Sequence, residues 1–183
     1  GGGCVYLNSS TMDMYGGKFT GSSAALGGAI AVVNSTLNLY GGEISGNTAS
    51  EKGGAVYVES GTVNISGKPV VKDNTVSSQP NNIYLPTGKA VSITGSMADG
   101  AEVGITTEST AYPVVFSNAW KTDYSEYFFA DSANAHVEYN DDKQLQLAAG
   151  AQVMHTHDWA TGWSSNSTHH WHECTAEGCT ITD

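Results

Sequence analysis

Gly27-Gly28-Ala29-Ile30-Ala31-Val32-Val33-Asn34-Ser35-Thr36-Leu37-Asn38-Leu39-Tyr40-Gly41-Gly42 is the stretch whose reading decides the fold. Ile30/Val32 and Leu37/Leu39 are apolar pairs spaced i, i+2, the period of a strand that buries one face. Glycine pairs bracket the stretch. The same lettering recurs on both sides, as Gly2-Gly3-Cys4-Val5 before it and Gly53-Gly54-Ala55-Val56 after it, at nearly equal offsets. Aligning the three copies sorts the apolar residues into columns. Val5, Ile30 and Val56 form one, and Leu7, Val32 and Val58 the next. Met12/Leu37/Val63, Met14/Leu39/Ile65 and Phe19/Ile44/Val71 follow.

Three short strands in each copy, punctuated by glycine, predict one rung of a right-handed, single-stranded parallel β-helix. A lone rung cannot bury its inward residues. Stacking like on like buries a continuous column and pairs each strand with the rungs above and below. Asn47 and Asn74, with Ser22 in the first copy, fall at one corner and predict a side-chain ladder there. A glycine-rich antiparallel sandwich is the alternative, but it would not impose one fixed period on its columns. By the same alignment Cys4 replaces Ala29 and Ala55 and is expected to be a small buried residue.

Regularity loosens after residue 80. Asn82-Ile83-Tyr84-Leu85 echoes Ala55-Val56-Tyr57-Val58, and Val91-Ser92-Ile93 echoes Val63-Asn64-Ile65, which predicts a fourth, modified rung. Residues 1–108 are therefore assigned to about four rungs. Residues 109–149 have strands without a repeat and are read as a β cap covered by Trp120, Tyr124, Tyr127, Phe128 and Phe129. Residues 150–183 form a separate His/Cys/Trp-rich module. The abrupt start of the repeats predicts a piece of a larger protein.

The pattern GG[AC][IV]-x-[VL], with the corners Ile44-Ser45-Gly46-Asn47 and Val71-Lys72-Asp73-Asn74, resembles the GGAI and FxxN repeats of polymorphic outer-membrane adhesins. In the first copy Phe19 leads to Ser22 where that pattern has Asn, a departure from it. Asn82-Ile83-Tyr84-Leu85-Pro86-Thr87-Gly88-Lys89 is similar to the end segment of such repeats in large secreted proteins of anaerobic Gram-positive bacteria. The resemblance covers residues 1–149. It implies a surface or extracellular location and leaves activity open.

Composition narrows the function classes. The formal net charge is −11, and all seven basic residues are lysine. Nucleic acid is excluded as a partner, because such affinity rests on cations neutralising phosphates. No apolar run reaches the length of a membrane span, so this segment is not expected to insert. Polysaccharide lyases and hydrolases share the β-helix shape. The lyases resemble one another in acidic Ca²⁺-holding clusters with an Arg or Lys base, whereas here Arg is absent and Lys18, Lys52, Lys68 and Lys72 fall at unequal positions. Pectin-type hydrolases have Gly-His-Gly and Arg-x-Lys motifs that this chain lacks. The one Asp pair, Asp141-Asp142, sits in Asn140-Asp141-Asp142-Lys143 and reads as a hairpin turn between Val137-Glu138-Tyr139 and Leu145-Gln146-Leu147. No catalytic residue is assigned.

The polar residues between the inward ones make columns of their own: Thr11, Thr36 and Thr62, and beside them Asp13, Asn38 and Asn64. They predict a flat polar face on one sheet. Two readings stand: a surface for carbohydrate, or ladders that only steady the strands. Tyr6 and Tyr57 also point outward, with Ala31 interrupting them.

The C-terminal module holds five of the six histidines and two of the three cysteines. Neutral imidazole and thiolate are the ligands zinc prefers, four in a tetrahedron. His157, His172, Cys174 and Cys179, with His155 or His170 as substitutes, are the candidate ligands of a structural zinc ion. A Cys174–Cys179 disulfide and an unstapled linker are the competing readings. The motif also resembles short tandem modules of large bacterial cell-wall proteins, in which further His and Cys follow. The expected function is a non-catalytic structural or adhesive module of a bacterial surface protein, monomeric within a larger chain. Its expected partners are host or extracellular glycans or other surface proteins. The alternative is a carbohydrate-active β-helix fragment or glycan-binding module.

Overall fold

The computed structural model describes residues 2–151, with the isolated strand residues 164–165 and 170–171. The chain divides into two compact units, Gly1–Gln152 and Val153–Asp183. In the second unit, Ser164–Ser165 pairs antiparallel with His170–Trp171.

The first unit is a parallel β-solenoid of about five turns. Its first turn contains β1 (Val5–Asn8), β2 (Thr11–Met14), β3 (Lys18–Phe19) and β4 (Ser23–Leu26). The second contains β5 (Ile30–Val33), β6 (Ser35–Leu39), β7 (Glu43–Ser45) and β8 (Thr48–Lys52). The third contains β9 (Val56–Val58), β10 (Gly61–Gly67), β11 (Val70–Lys72) and β12 (Thr75–Val76), and β12 turns back as β13 (Gln79–Pro80). Parallel pairing is in register with the repeat: Val5↔Ile30↔Val56, Met12↔Leu37↔Val63 and Phe19↔Ile44↔Val71. Alternation follows directly, with Leu37, Leu39, Val63 and Ile65 fully buried and Asn38 and Asn64 half-exposed between them. Each such leucine or isoleucine stabilises the coil by about 1.5–3 kcal/mol relative to solvent exposure.

Glycine opens the second and third turns for a steric reason. Gly27 has φ +63°, and a Cβ there would lie 2.1 Å from the carbonyl oxygen of Ile30; Gly53 repeats the situation one rung later. Only glycine fits such an approach.

The later turns depart from the pattern. β14 (Ile83–Leu85) and β15 (Ser92–Met97) continue the stacks on β9 and β10. β16 (Glu102–Thr107) is longer than β11 and β14. Its first residues pair with β11 and its last with β14, so it runs straight where earlier turns detour through β4, β8 and β12. After β17 (Val114–Val115) and a short 3-10 turn at Ser125–Tyr127, β18 (Phe128–Ala130) stacks parallel on β16. Parallel stacking therefore continues to residue 130, one turn beyond the expected four. The solenoid is closed by the hairpin β19 (Ala135–Tyr139) and β20 (Leu145–Ala149), with β17 on the far edge of β20. Leu145 and Leu147 join Phe116 and Phe128 in the core.

Cys4 corrects an expectation. It is exposed, whereas Ala29 and Ala55 are completely buried. It does share their column, its N–H donating to the Ala29 carbonyl. Among the described residues, however, nothing is stacked beneath the first turn, and its Sγ meets Ser22 Oγ at 2.5 Å.

Candidate binding face

The strands β2, β6, β10 and β15 form a four-stranded parallel sheet. Register places Thr11 on Thr36 and Thr36 on Thr62, and beside them Asp13 on Asn38 and Asn38 on Asn64, with Ser92 next. All six residues singled out from the sequence are thus brought into two adjacent columns. The amides are bonded along the axis: Asn64 Nδ2 donates to Asn38 Oδ1 at 2.7 Å, and Asn38 Nδ2 donates to Asp13 Oδ1 at 2.6 Å. The donor-to-acceptor direction runs toward the first turn and ends on a carboxylate, which only accepts.

A second ladder runs at the buried corner in the opposite sense. Asn47 donates its backbone N–H and its Nδ2 to Asn74 Oδ1, at 3.0 and 2.9 Å. Asn74 does the same to Asn82 Oδ1, at 3.1 and 2.8 Å. Asn82 donates to Asp131, its N–H to Oδ2 at 2.6 Å and its Nδ2 to Oδ1 at 2.5 Å, and Thr106 Oγ1 adds a third bond at 2.6 Å. Asp131 is again a terminal acceptor. Burial nonetheless raises its carboxyl above the usual aspartate range, against these hydrogen bonds. Gly104 makes room for this end of the ladder, since a Cβ there would lie 2.3 Å from Asn82 Nδ2 and 2.7 Å from Asp131 Oδ1. Asp131 borders an open groove of about 390 Å³ with Gln79, Pro80 and Asn134.

A third cluster holds the Pro86–Gly88 turn. Glu108 Oε2 accepts from the Thr87 N–H at 3.0 Å and Thr87 Oγ1 at 3.1 Å, while Oε1 accepts from Lys52 Nζ at 3.0 Å and Tyr84 OH at 3.1 Å. The Thr87 N–H first, then Lys52, hold the Glu108 carboxyl down at about 2. Lys52 Nζ also lies 4.8 Å from the centre of the Tyr84 ring. A groove of about 280 Å³ runs between this turn and residues 109–115.

The aromatic column read from the sequence is less open than expected. Ala31 is buried, and Tyr57 leans on Tyr84 at 5.9 Å between ring centres. Sequence reasoning missed a different aromatic pair. Tyr15 and Tyr40 follow β2 and β6 at the same corner, stacked at 4.8 Å with 21° between their planes, and Tyr15 is 74 % exposed. Their signal was present as Tyr15-Gly16-Gly17 and Tyr40-Gly41-Gly42, one repeat apart. Asp131 and Glu108 carried no such signal, because neither has a counterpart in another rung.

Asp141 and Asp142 occupy the β19–β20 turn. There the Asn140 N–H donates to the Gln144 carbonyl and the Gln144 N–H to Asn140 Oδ1, both at 2.9 Å, and Lys143 takes φ +60°. The candidate zinc ligands His157, His172, Cys174 and Cys179, and the substitute His155, lie outside the described residues; His170 falls on the short strand pair of the second unit. No family model matches this chain, and neither does any curated protein or solved structure.

Proposed function

We propose that this chain is a non-catalytic, structural or adhesive module of a bacterial surface protein, presenting rigid polar faces to extracellular partners such as glycans. One observation carries the reading: the Thr and Asx columns of β2, β6 and β10 lie in register on one parallel sheet, their amides already fixed by hydrogen bonds of 2.6 and 2.7 Å. A surface ordered before contact loses little side-chain entropy on binding. The hydrogen bonding of Glu108 and Asp131 supports a structural role for both. In Glu108 and Asp131 each oxygen accepts from a protein donor, and these bonds hold the Thr87 turn and the end of the asparagine ladder. The repeat resemblance supports the surface location.

The test is a glycan-array profile of the intact chain together with assays for product release from pectin, alginate and host glycans. Binding without turnover is the expected result. Turnover of any of these polymers overturns the reading in favour of a carbohydrate-active fragment. Zinc in the C-terminal module is a separate proposal, tested by metal analysis of the purified chain and its Cys174→Ser variant; metal content unchanged by that substitution argues against thiolate ligation.

A further inference from the structure

The geometry points to a neutral saccharide as the ligand of the β2–β6–β10 face, seated in a notch beside Tyr40; this rests on the binding-face reading above. The column at the corner after these strands begins with Tyr15 and Tyr40. The next rung places Ser66 there, and over Ser66 lies Gly95, whose Cβ would meet the Ser66 Cβ at 3.1 Å. The 4.8 Å separation of the two ring centres matches the spacing of stacked strands, so the rings lie flat across the rungs. One face of Tyr40 is covered by Tyr15. The other looks along the axis over two successive rungs that carry no ring. That gap of about two strand spacings accepts one flat ring at ordinary stacking distance, about 4.5–7 Å from the aromatic centre.

Two kinds of chemistry meet at this notch. An aromatic face selects a ring with an apolar C–H surface. The adjoining column of Asp13, Asn38, Asn64 and Ser92 offers amide, carboxylate and hydroxyl groups in a row along the same axis. A pyranose satisfies both, with its C–H face on Tyr40 and its hydroxyls on the Asx column, and a chain of such units follows the column from rung to rung. Charge decides among saccharides. The strands of this sheet include Asp13 and no lysine, and the whole chain carries −11. The nearby Lys68, beyond the corner, lays its side chain against Gly100. A uronate or sulfated polymer running from the notch back along the column would reach the Asp13 carboxylate with no cation in the column to pair it. Neutral glycans are therefore the ligand class.

The test uses the full chain against laminarin, mannan and chitohexaose as neutral probes, and polygalacturonate and alginate as anionic ones, by array and then calorimetric titration. Two variants act oppositely on the stack: Tyr40→Ala removes the platform, and Ser66→Tyr continues the stack and fills the notch. Each is expected to lower affinity for a neutral probe about ten-fold, roughly 1.4 kcal/mol. Tyr6→Ala, on a different strand, is expected to leave affinity unchanged. Circular dichroism and melting curves establish that each variant is folded. Affinity unmoved by both Tyr40→Ala and Ser66→Tyr overturns the inference, as does preference for the anionic polymers or failure to bind any neutral glycan. Loss of binding in Asn38→Leu alone removes the notch but keeps the polar face, whereas polymer turnover removes the function proposed above.

Discussion

Residues 2–80 and residues 81–151 answer the same demand, pairing buried polar groups, by different means. In the first region each rung copies the one before it, so Asn47 hands its two donors to Asn74 just as Asn74 hands its own to Asn82. In the second region each solution occurs once: β16 runs straight, Gly104 clears a path, and Asp131 ends the ladder. A repeat is stable through sameness. Its end needs residues that the repeat does not contain, because the last rung has donors to satisfy and no further rung to receive them.

The largest test of this contrast is Asn74→Ala. Asn74 is fully buried, and its loss leaves the Asn47 N–H without Oδ1 as its acceptor and the Ile44 and Lys72 carbonyls without Nδ2 as a donor. A loss of about 3–5 kcal/mol in urea unfolding is expected, since each buried group left unpaired costs about 1–3 kcal/mol. Next come the cores of the inner and outer rungs. Leu37→Ala, with Leu37 stacked on both sides, should cost about 3 kcal/mol, whereas Met12→Ala in the half-exposed first turn should cost about 1 kcal/mol. Equal costs would show that the first turn is covered in solution.

The singular locks make smaller, more local predictions. Glu108→Gln removes the charge that binds the Thr87 turn, so the Thr87 amide should exchange with solvent faster while the Asn74 amide does not. In the native chain the contribution of Glu108 is fully present above the ordinary glutamate range, about pH 4.3. It is lost as pH falls toward the lowered folded value of about 2. Asp131 has the opposite sign. Its folded value is raised, so the stability gained by its protonation is present below the usual aspartate range and is lost as pH rises through the folded value. Asp131→Asn can receive both Asn82 donors on one oxygen, as Asn82 does for Asn74. Its melting temperature should exceed the native one at pH 7, the difference closing toward acid. Smallest of all, Thr62→Val on the polar face should change stability by only about 0.5 kcal/mol.

Legibility in the sequence follows the same division. Val5, Ile30 and Val56 could be superposed by counting, and the six Thr and Asx positions of the polar face fell into place with them. Tyr15 and Tyr40 were equally countable, since each stands directly before a glycine pair, yet a tyrosine at a corner reads as turn rather than as platform until the rings are seen to stack. The bonds of Asp131 to Asn82 and of Glu108 to Thr87 join distant segments with no repeat behind them, so no periodicity could announce either.

By itself the sequence determined the coil: a nearly constant repeat length forces equivalent side chains over one another, and burial of their shared column then fixes strand, register and inward face. Only the tertiary structure decided how the coil ends and which polar groups remain available. Those outcomes depend on donors and acceptors from distant segments meeting at one point, and chain spacing holds no record of a meeting that happens once.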